Sequence, residues 1–132
     1  MSERISKEQY YLGIAEAVSK RSTCIRRQYG AVIVKNDVIV STGYNGSPRN
    51  ATNCCDYGRC HREEHGIPHG ERYELCQAIH AEENAIMNAN PADRVGATLY
   101  LVGLENGKRI EAKPCKMCEK RIRNAQIRWV VS

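Results

Sequence analysis

Gly30-Ala31-Val32-Ile33-Val34-Lys35-Asn36-Asp37-Val38-Ile39-Val40-Ser41-Thr42 is the stretch on which the fold turns. Gly30 to Val34 is continuously apolar, the mark of a strand covered on both faces, because a half-exposed strand alternates apolar with polar residues. Asn36-Asp37 makes a turn. Val38 to Thr42 reads as a second strand, so the pair forms a hairpin leading into Gly43-Tyr44-Asn45-Gly46-Ser47-Pro48, a loop rich in turn residues.

Working outward, residues 6 to 21 read as a helix with Ser6 as N-cap and Glu8 in its first turn. Tyr10, Tyr11, Ile14, Ala15, Ala17 and Val18 recur there at helical spacing and define its apolar face. Residues 49 to 75 are polar and broken by Gly58, Gly66, Pro68 and Gly70. So long an irregular segment inside one domain needs something to hold it, and cysteines are placed to do so. Cys54, Cys55 and Cys60 lie within it, Cys76 closes it, and Cys24 precedes the first strand. Ile79, Ala81, Ala85, Ile86 and Ala89 mark a second helix over 79 to 89, stopped by Asn90-Pro91. Thr98 to Val102 reads as a third strand. Asn106-Gly107 makes a hairpin turn with a short return, an excursion within Gly103 to Lys113. Cys115 to Ala125 forms a third helix and Ile127 to Val131 a fourth strand. Strands alternating with helices predict an α/β domain with a partly parallel sheet.

The 132 residues correspond to a single domain. No run approaches the length of a membrane span, and Met1-Ser2-Glu3-Arg4 lacks the layout of a secretory signal, which predicts a cytoplasmic protein. In that compartment the seven cysteines point to metal binding rather than disulfides. The net charge of +5 favours an anionic small ligand such as a nucleotide. Charges of both signs are interspersed with no basic run, so nucleic acid is not the expected partner, nor is a membrane.

The chemistry concentrates at His80-Ala81-Glu82 and Pro114-Cys115-Lys116-Met117-Cys118. One imidazole and two thiolates give zinc three protein ligands and leave a fourth position for water, the arrangement of a catalytic site. Cys115 and Cys118 share one face of a helix's first turn, where the helix dipole favours thiolate. Glu82, two residues past the histidine, can exchange protons with that water without binding the metal. Taken singly, each feature has a plainer reading: the Cys-x-x-Cys as a structural zinc clip or redox pair, His80 as a capping residue, Glu82 as a first-turn charge. Together they form the signature of zinc-dependent nucleobase deaminases. The chemistry is then hydrolytic deamination by a zinc-bound hydroxide, with Glu82 as general acid and base.

Through Arg21-Ser22-Thr23-Cys24, Gly30 to Val34, Ser41 to Pro48, His80 to Ile86 and Pro114 to Cys118, nearly the whole chain resembles the deoxycytidylate (dCMP) deaminases of the cytidine deaminase-like superfamily. The resemblance implies conversion of dCMP and water to dUMP and ammonia. It also implies a three-layer α/β/α fold with a mixed sheet, a hexameric assembly, and dCTP and dTTP as effectors. A second, structural zinc is implied at Cys24, Cys54 and Cys76 with Cys60 as fourth ligand, His61 being the alternative to Cys60, and Cys55 left over. By the same likeness Asn45 binds the nucleotide, and Arg26, Arg27, Ser47 and Arg49 are candidates to meet its 5′-phosphate. Two departures stand out: the Gly103 to Lys113 excursion is longer than in many relatives, and the chain stops soon after the fourth strand, so a truncated sheet is expected. The competing substrates are a 5-substituted dCMP or free deoxycytidine. A non-catalytic two-zinc module binding nucleic acid is the alternative from another class, but it needs a basic stripe or stacking aromatics.

Overall fold

The structure, a computed structural model, describes residues 4–24, 26–46 and 80–131. Helix α1 spans Lys7–Ser19 and opens on a capping box: Ser6 Oγ accepts from the Gln9 N–H at 3.1 Å, and the Gln9 side chain accepts from the Ser6 N–H at 3.1 Å. Strands β1 (Gln28–Lys35) and β2 (Val38–Tyr44) form the expected antiparallel hairpin. Its turn residues Asn36 and Asp37 both have positive φ, 52° and 64°, the mirror-image turn that matches the twist of the strands. Helix α2 (Ala81–Asn88) is followed by a 3₁₀ turn at Pro91–Asp93. Strand β3 (Thr98–Glu105) returns through Asn106 and Gly107, again both at positive φ, into β4 (Lys108–Ile110). Helix α3 (Lys116–Asn124) and strand β5 (Arg128–Val131) complete the described chain.

The sheet runs β2-β1-β3-β4, with β5 also paired to β3. β4 and β5 share one edge of β3 end to end: Gly103 to Glu105 pair with β4, Thr98 to Leu101 with β5. Only β3–β5 is parallel, so the sheet is mixed, as expected. The excursion thus supplies a fifth strand, beyond the four read from periodicity.

Helices cover both faces. α1 packs Tyr11, Leu12 and Ala15 against Val32, Val34, Val102 and Leu104. Its buried face differs from the expected one: Tyr10 and Ala17 are exposed, while Leu12 and Ser19 are buried. Tyr11 is held by a hydroxyl hydrogen bond to Asp37 Oδ1 at 2.5 Å and by tilted ring contacts with Tyr10 and Tyr100. Lys7 Nζ completes this tie at 2.7 Å from Asp37 Oδ2.

On the other face, Ala81, Ala85 and Ala89 of α2 and Ile122 of α3 pack over Ala31, Ile33, Leu99 and Leu101. α2 lies so close to β2 that a Cβ on Gly43 would stand 2.3 Å from Ala85 N and 2.6 Å from Ala81 O. Three side-chain bonds fasten it there. Ser41 Oγ donates to the Ala85 carbonyl, Asn84 Nδ2 to Tyr44 C=O and Asn88 Nδ2 to Thr42 C=O, each at 2.8 Å. Among the described residues no helix is long and apolar enough to cross a membrane.

Candidate metal centre

Two helix starts converge on the site. His80 is the N-cap of α2 and Cys115 the N-cap of α3, both with extended backbone, and Cys118 is buried on the first turn of α3. The Cys115 sulfur does a capping residue's work by accepting from the Cys118 N–H at 3.4 Å. A helix start thereby aims the first sulfur, and the three-residue spacing places the second beside it.

His80 Nδ1 lies 3.3 Å from Cys118 Sγ and 3.5 Å from Cys115 Sγ, and the three candidate ligand atoms all lie within 4.8 Å of one another. On a tetrahedral zinc with ordinary bond lengths, nitrogen and sulfur ligands stand about 3.5 Å apart. The donor set and its spacing therefore fit zinc. Among the described residues no fourth side chain joins the three, the donor count of an open site rather than a closed four-ligand clip. His80, Cys115 and Cys118 are also the one such metal-binding group of His, Cys, Asp and Glu side chains among the described residues.

Glu82 is 5% exposed on the first turn of α2. Burial pushes its carboxyl above the usual range. Hydrogen bonding from Cys118, then from His80, holds Cys115 as thiolate, down to about 3. Cys118 is pushed up by that same bond and by burial. His80 is raised, chiefly by its hydrogen bond to Cys115.

The other expected site residues divide into those described and those not. Asn45 is buried, and its amide is engaged internally: Oδ1 accepts from Ser22 Oγ at 2.6 Å and from the Tyr29 N–H at 2.8 Å, while Nδ2 donates to Arg27 C=O at 2.9 Å. It pins both ends of the segment joining α1 to β1. Arg26 and Cys24 sit half-buried on that segment, and Arg27 Nε lies 3.5 Å from Glu105 Oε2 at the end of β3. Ser47, Arg49, Cys54, Cys55, Cys60, His61 and Cys76 lie outside the described residues, and so does the 49 to 75 segment. Sequence reasoning missed two partners. Ser22 was legible only as part of a motif, and Glu83 was hidden behind its neighbour Glu82. The usable signal for Glu83 was the three-residue spacing of Cys118 and Arg121, which puts a cation on the ligand-bearing face of α3.

A mixed sheet between helices, with a nitrogen-sulfur-sulfur metal centre on two helix starts and a buried carboxyl beside it, defines the class: a zinc-binding domain of the cytidine deaminase-like fold. The family described as the cytidine and deoxycytidylate deaminase zinc-binding region matches residues 5–132, and the chain belongs to it. It is 37% identical over 129 residues to a deoxycytidylate deaminase of Mycobacterium phage D29, covering 94% of this chain and 91% of the relative. It is also 37% identical over 130 residues to a deoxycytidylate deaminase of Schizosaccharomyces pombe. That match takes in 97% of this chain but only 37% of the yeast protein. Among solved structures, a dCMP deaminase from the cyanophage S-TIM5, in complex with dCMP and dUMP, superposes with a TM-score of 0.67 at 26% identity, covering 98% of this chain and 85% of that one.

Proposed function

We propose that this chain catalyses the hydrolytic deamination of dCMP, dCMP + H₂O giving dUMP + NH₃, with Glu82 as the proton carrier. The observation that carries the reading is the convergence of His80 Nδ1 and the two sulfurs at zinc-binding distances beside the buried carboxyl of Glu82. The names of the phage and yeast relatives supply the substrate. His80, Cys115 and Cys118 would hold the zinc, which would supply Lewis acidity and so bring the pKa of a water molecule toward neutral. Glu82 accepts the proton released from the attacking water. It delivers that proton to the pyrimidine N3, then takes the proton of the new C4 hydroxyl as the carbonyl forms and passes it to the departing amino nitrogen, which leaves as ammonia. Burial suits it to both jobs, because a carboxyl that resists ionisation is a better base than an exposed one. The remaining expectations belong to this proposal: from the family resemblance, a second zinc at Cys24, Cys54, Cys60 and Cys76, nucleotide binding by Asn45, a hexamer, and control by dCTP and dTTP; from guanidinium and hydroxyl chemistry, phosphate contacts from Arg26 and Ser47; and from the N-terminal sequence, cytoplasmic location.

The deciding experiment follows cytosine absorbance with zinc-loaded protein on dCMP, deoxycytidine, cytidine and dCTP. Two lost charge-assisted phosphate contacts correspond to about 10² to 10⁴ in kcat/KM, so dCMP should exceed deoxycytidine by that factor. Equal turnover of the two overturns the nucleotide assignment.

A further inference from the structure

Glu82 and Glu83 are consecutive on α2, yet they serve different neighbours. Glu82 is buried beside the ligand atoms, whereas the half-buried Glu83 reaches across to α3. Glu83 Oε1 accepts a hydrogen bond from Arg121 Nη1, and Cys118 Sγ lies 4.0 Å from the same oxygen. Arg121 follows Cys118 by three residues, so the two share a face of α3. One carboxylate, on the helix that starts at His80, therefore touches both a ligand-bearing position and a cation on the helix that carries the two cysteines.

We propose that the Glu83–Arg121 pair is a positioning clasp of the metal centre, setting where Cys118 Sγ stands relative to His80 Nδ1 and hence how tightly the site holds its metal. This rests on the zinc reading given above. The clasp does not act by stabilising the fold at large. The Arg121 side chain is 50% exposed, and ion pairs this open to water contribute little to global stability. Its leverage is local, because groups that orient a ligand from outside typically change metal affinity about 10- to 100-fold when removed. A purely electrostatic role makes a different prediction. Removing the Glu83 charge weakens the hold on a cation, whereas removing the Arg121 charge strengthens it. Under the clasp, both changes weaken it.

The test uses the full chain as Glu83→Gln, Arg121→Met, the double variant, and the exchanged pair Glu83→Arg with Arg121→Glu. Zinc affinity is read by competition with a chromophoric chelator, ligand geometry by the visible spectrum of the cobalt(II)-substituted protein, and stability by melting the metal-free form. Each single variant should lose about 10- to 100-fold in zinc affinity with a changed cobalt spectrum and little change in the metal-free melt. The double variant should be no weaker than either single one, and the exchanged pair should regain most of the loss. Should Arg121→Met not fold, Arg121→Lys keeps the charge without the planar fork, so a purely electrostatic role leaves zinc affinity unchanged whereas the clasp predicts a loss. Unchanged affinity in the singles, or shifts of opposite sign, overturns the clasp while leaving the zinc reading intact. If the wild type holds no zinc, or His80→Ala leaves its zinc content unchanged, the zinc reading itself falls and takes the clasp with it.

Discussion

The two faces of the sheet are built from different materials. Toward α1 the core is bulky, with Tyr11, Leu12, Val32, Val34, Val102 and Leu104 interlocking. Toward α2 and α3 it is lined by Ala31, Ala81, Ala85, Ala89, Ala97 and Ala112 around a few larger residues. Bulky residues bury more apolar area each and so contribute more stabilisation per position. Small ones bury less but let backbones approach, and an α2 held by backbone contact has little freedom to shift. The face that carries His80 and Glu82 therefore trades burial for position, while the α1 face supplies stability. Each face nevertheless has a glycine at the helix crossing. A Cβ on Gly30 would stand 2.1 Å from Ala15 O of α1, and one on Gly43 would stand 2.3 Å from Ala85 N of α2.

Substitutions on opposite faces can break this contrast. The largest separation is expected between Glu82→Gln and Leu104→Ala. The first should keep the zinc and the melting temperature while lowering turnover of dCMP by about 10² to 10⁴, equivalent to about 3–5 kcal/mol of barrier. The second should cost about 2–5 kcal/mol of stability by leaving a cavity, yet the folded fraction should keep its zinc and its turnover. Near-normal activity in Glu82→Gln would remove the proton carrier from the mechanism.

A subtler pair is Gly43→Ala against Gly30→Ala. Both force backbone atoms apart and should lose about 1–3 kcal/mol in denaturant melts. Only Gly43→Ala should also weaken zinc binding, because it lifts the start of α2. If the two lower zinc affinity equally, the division of labour between the faces is wrong.

The smallest effect belongs to the Tyr11–Asp37–Lys7 tie on the α1 face. Hydrogen bonds from Lys7 and Tyr11 hold Asp37 below the usual carboxylate range. Its stabilisation is therefore present above the unfolded carboxylate pKa and is lost as pH falls through the lower folded value. Tyr11 is raised to about 12, first by its bond to Asp37, so its share is present below the unfolded phenol pKa and is lost as pH rises through about 12. Asp37→Asn should flatten both limbs of the melting temperature against pH relative to wild type. Identical profiles would show that the tie contributes nothing measurable.

Much of this was legible before any coordinates. The apolar run from Gly30 to Val34 announced a central strand, and Asn36-Asp37 and Asn106-Gly107 announced turns that need positive φ. That His80, Cys115 and Cys118 belong together was legible from residue type and spacing, and the structure brings them to one place. What escaped has a physical cause in each case. The inner face of α1 was misjudged because periodicity cannot separate Tyr10 from Leu12 when both are apolar: the choice was made by Tyr11 reaching Asp37 and by the close approach at Gly30. The return strand β4 is three residues long, too short to show a pattern of its own. Glu83 and Arg121 meet only because two helices separated in sequence converge, which no local window records.

The asparagines that fasten α2 have one more consequence. Asn45 N–H bonds to Tyr29 C=O, so Gly30 and Tyr44 are a non-hydrogen-bonded pair, and the carbonyls of Tyr44 and Thr42 point away from β1 toward the rim of the sheet. Four residues of helix advance about 6.0 Å and two residues of strand about 6.7 Å, close enough for Asn84 and Asn88 to reach both carbonyls at once. Bare carbonyls on an outer strand invite a strand from another molecule, the first step of edge-to-edge aggregation. Here two of them are already taken, so the side chains that keep the His80 helix in place also help to keep one copy of the protein from sticking to the next.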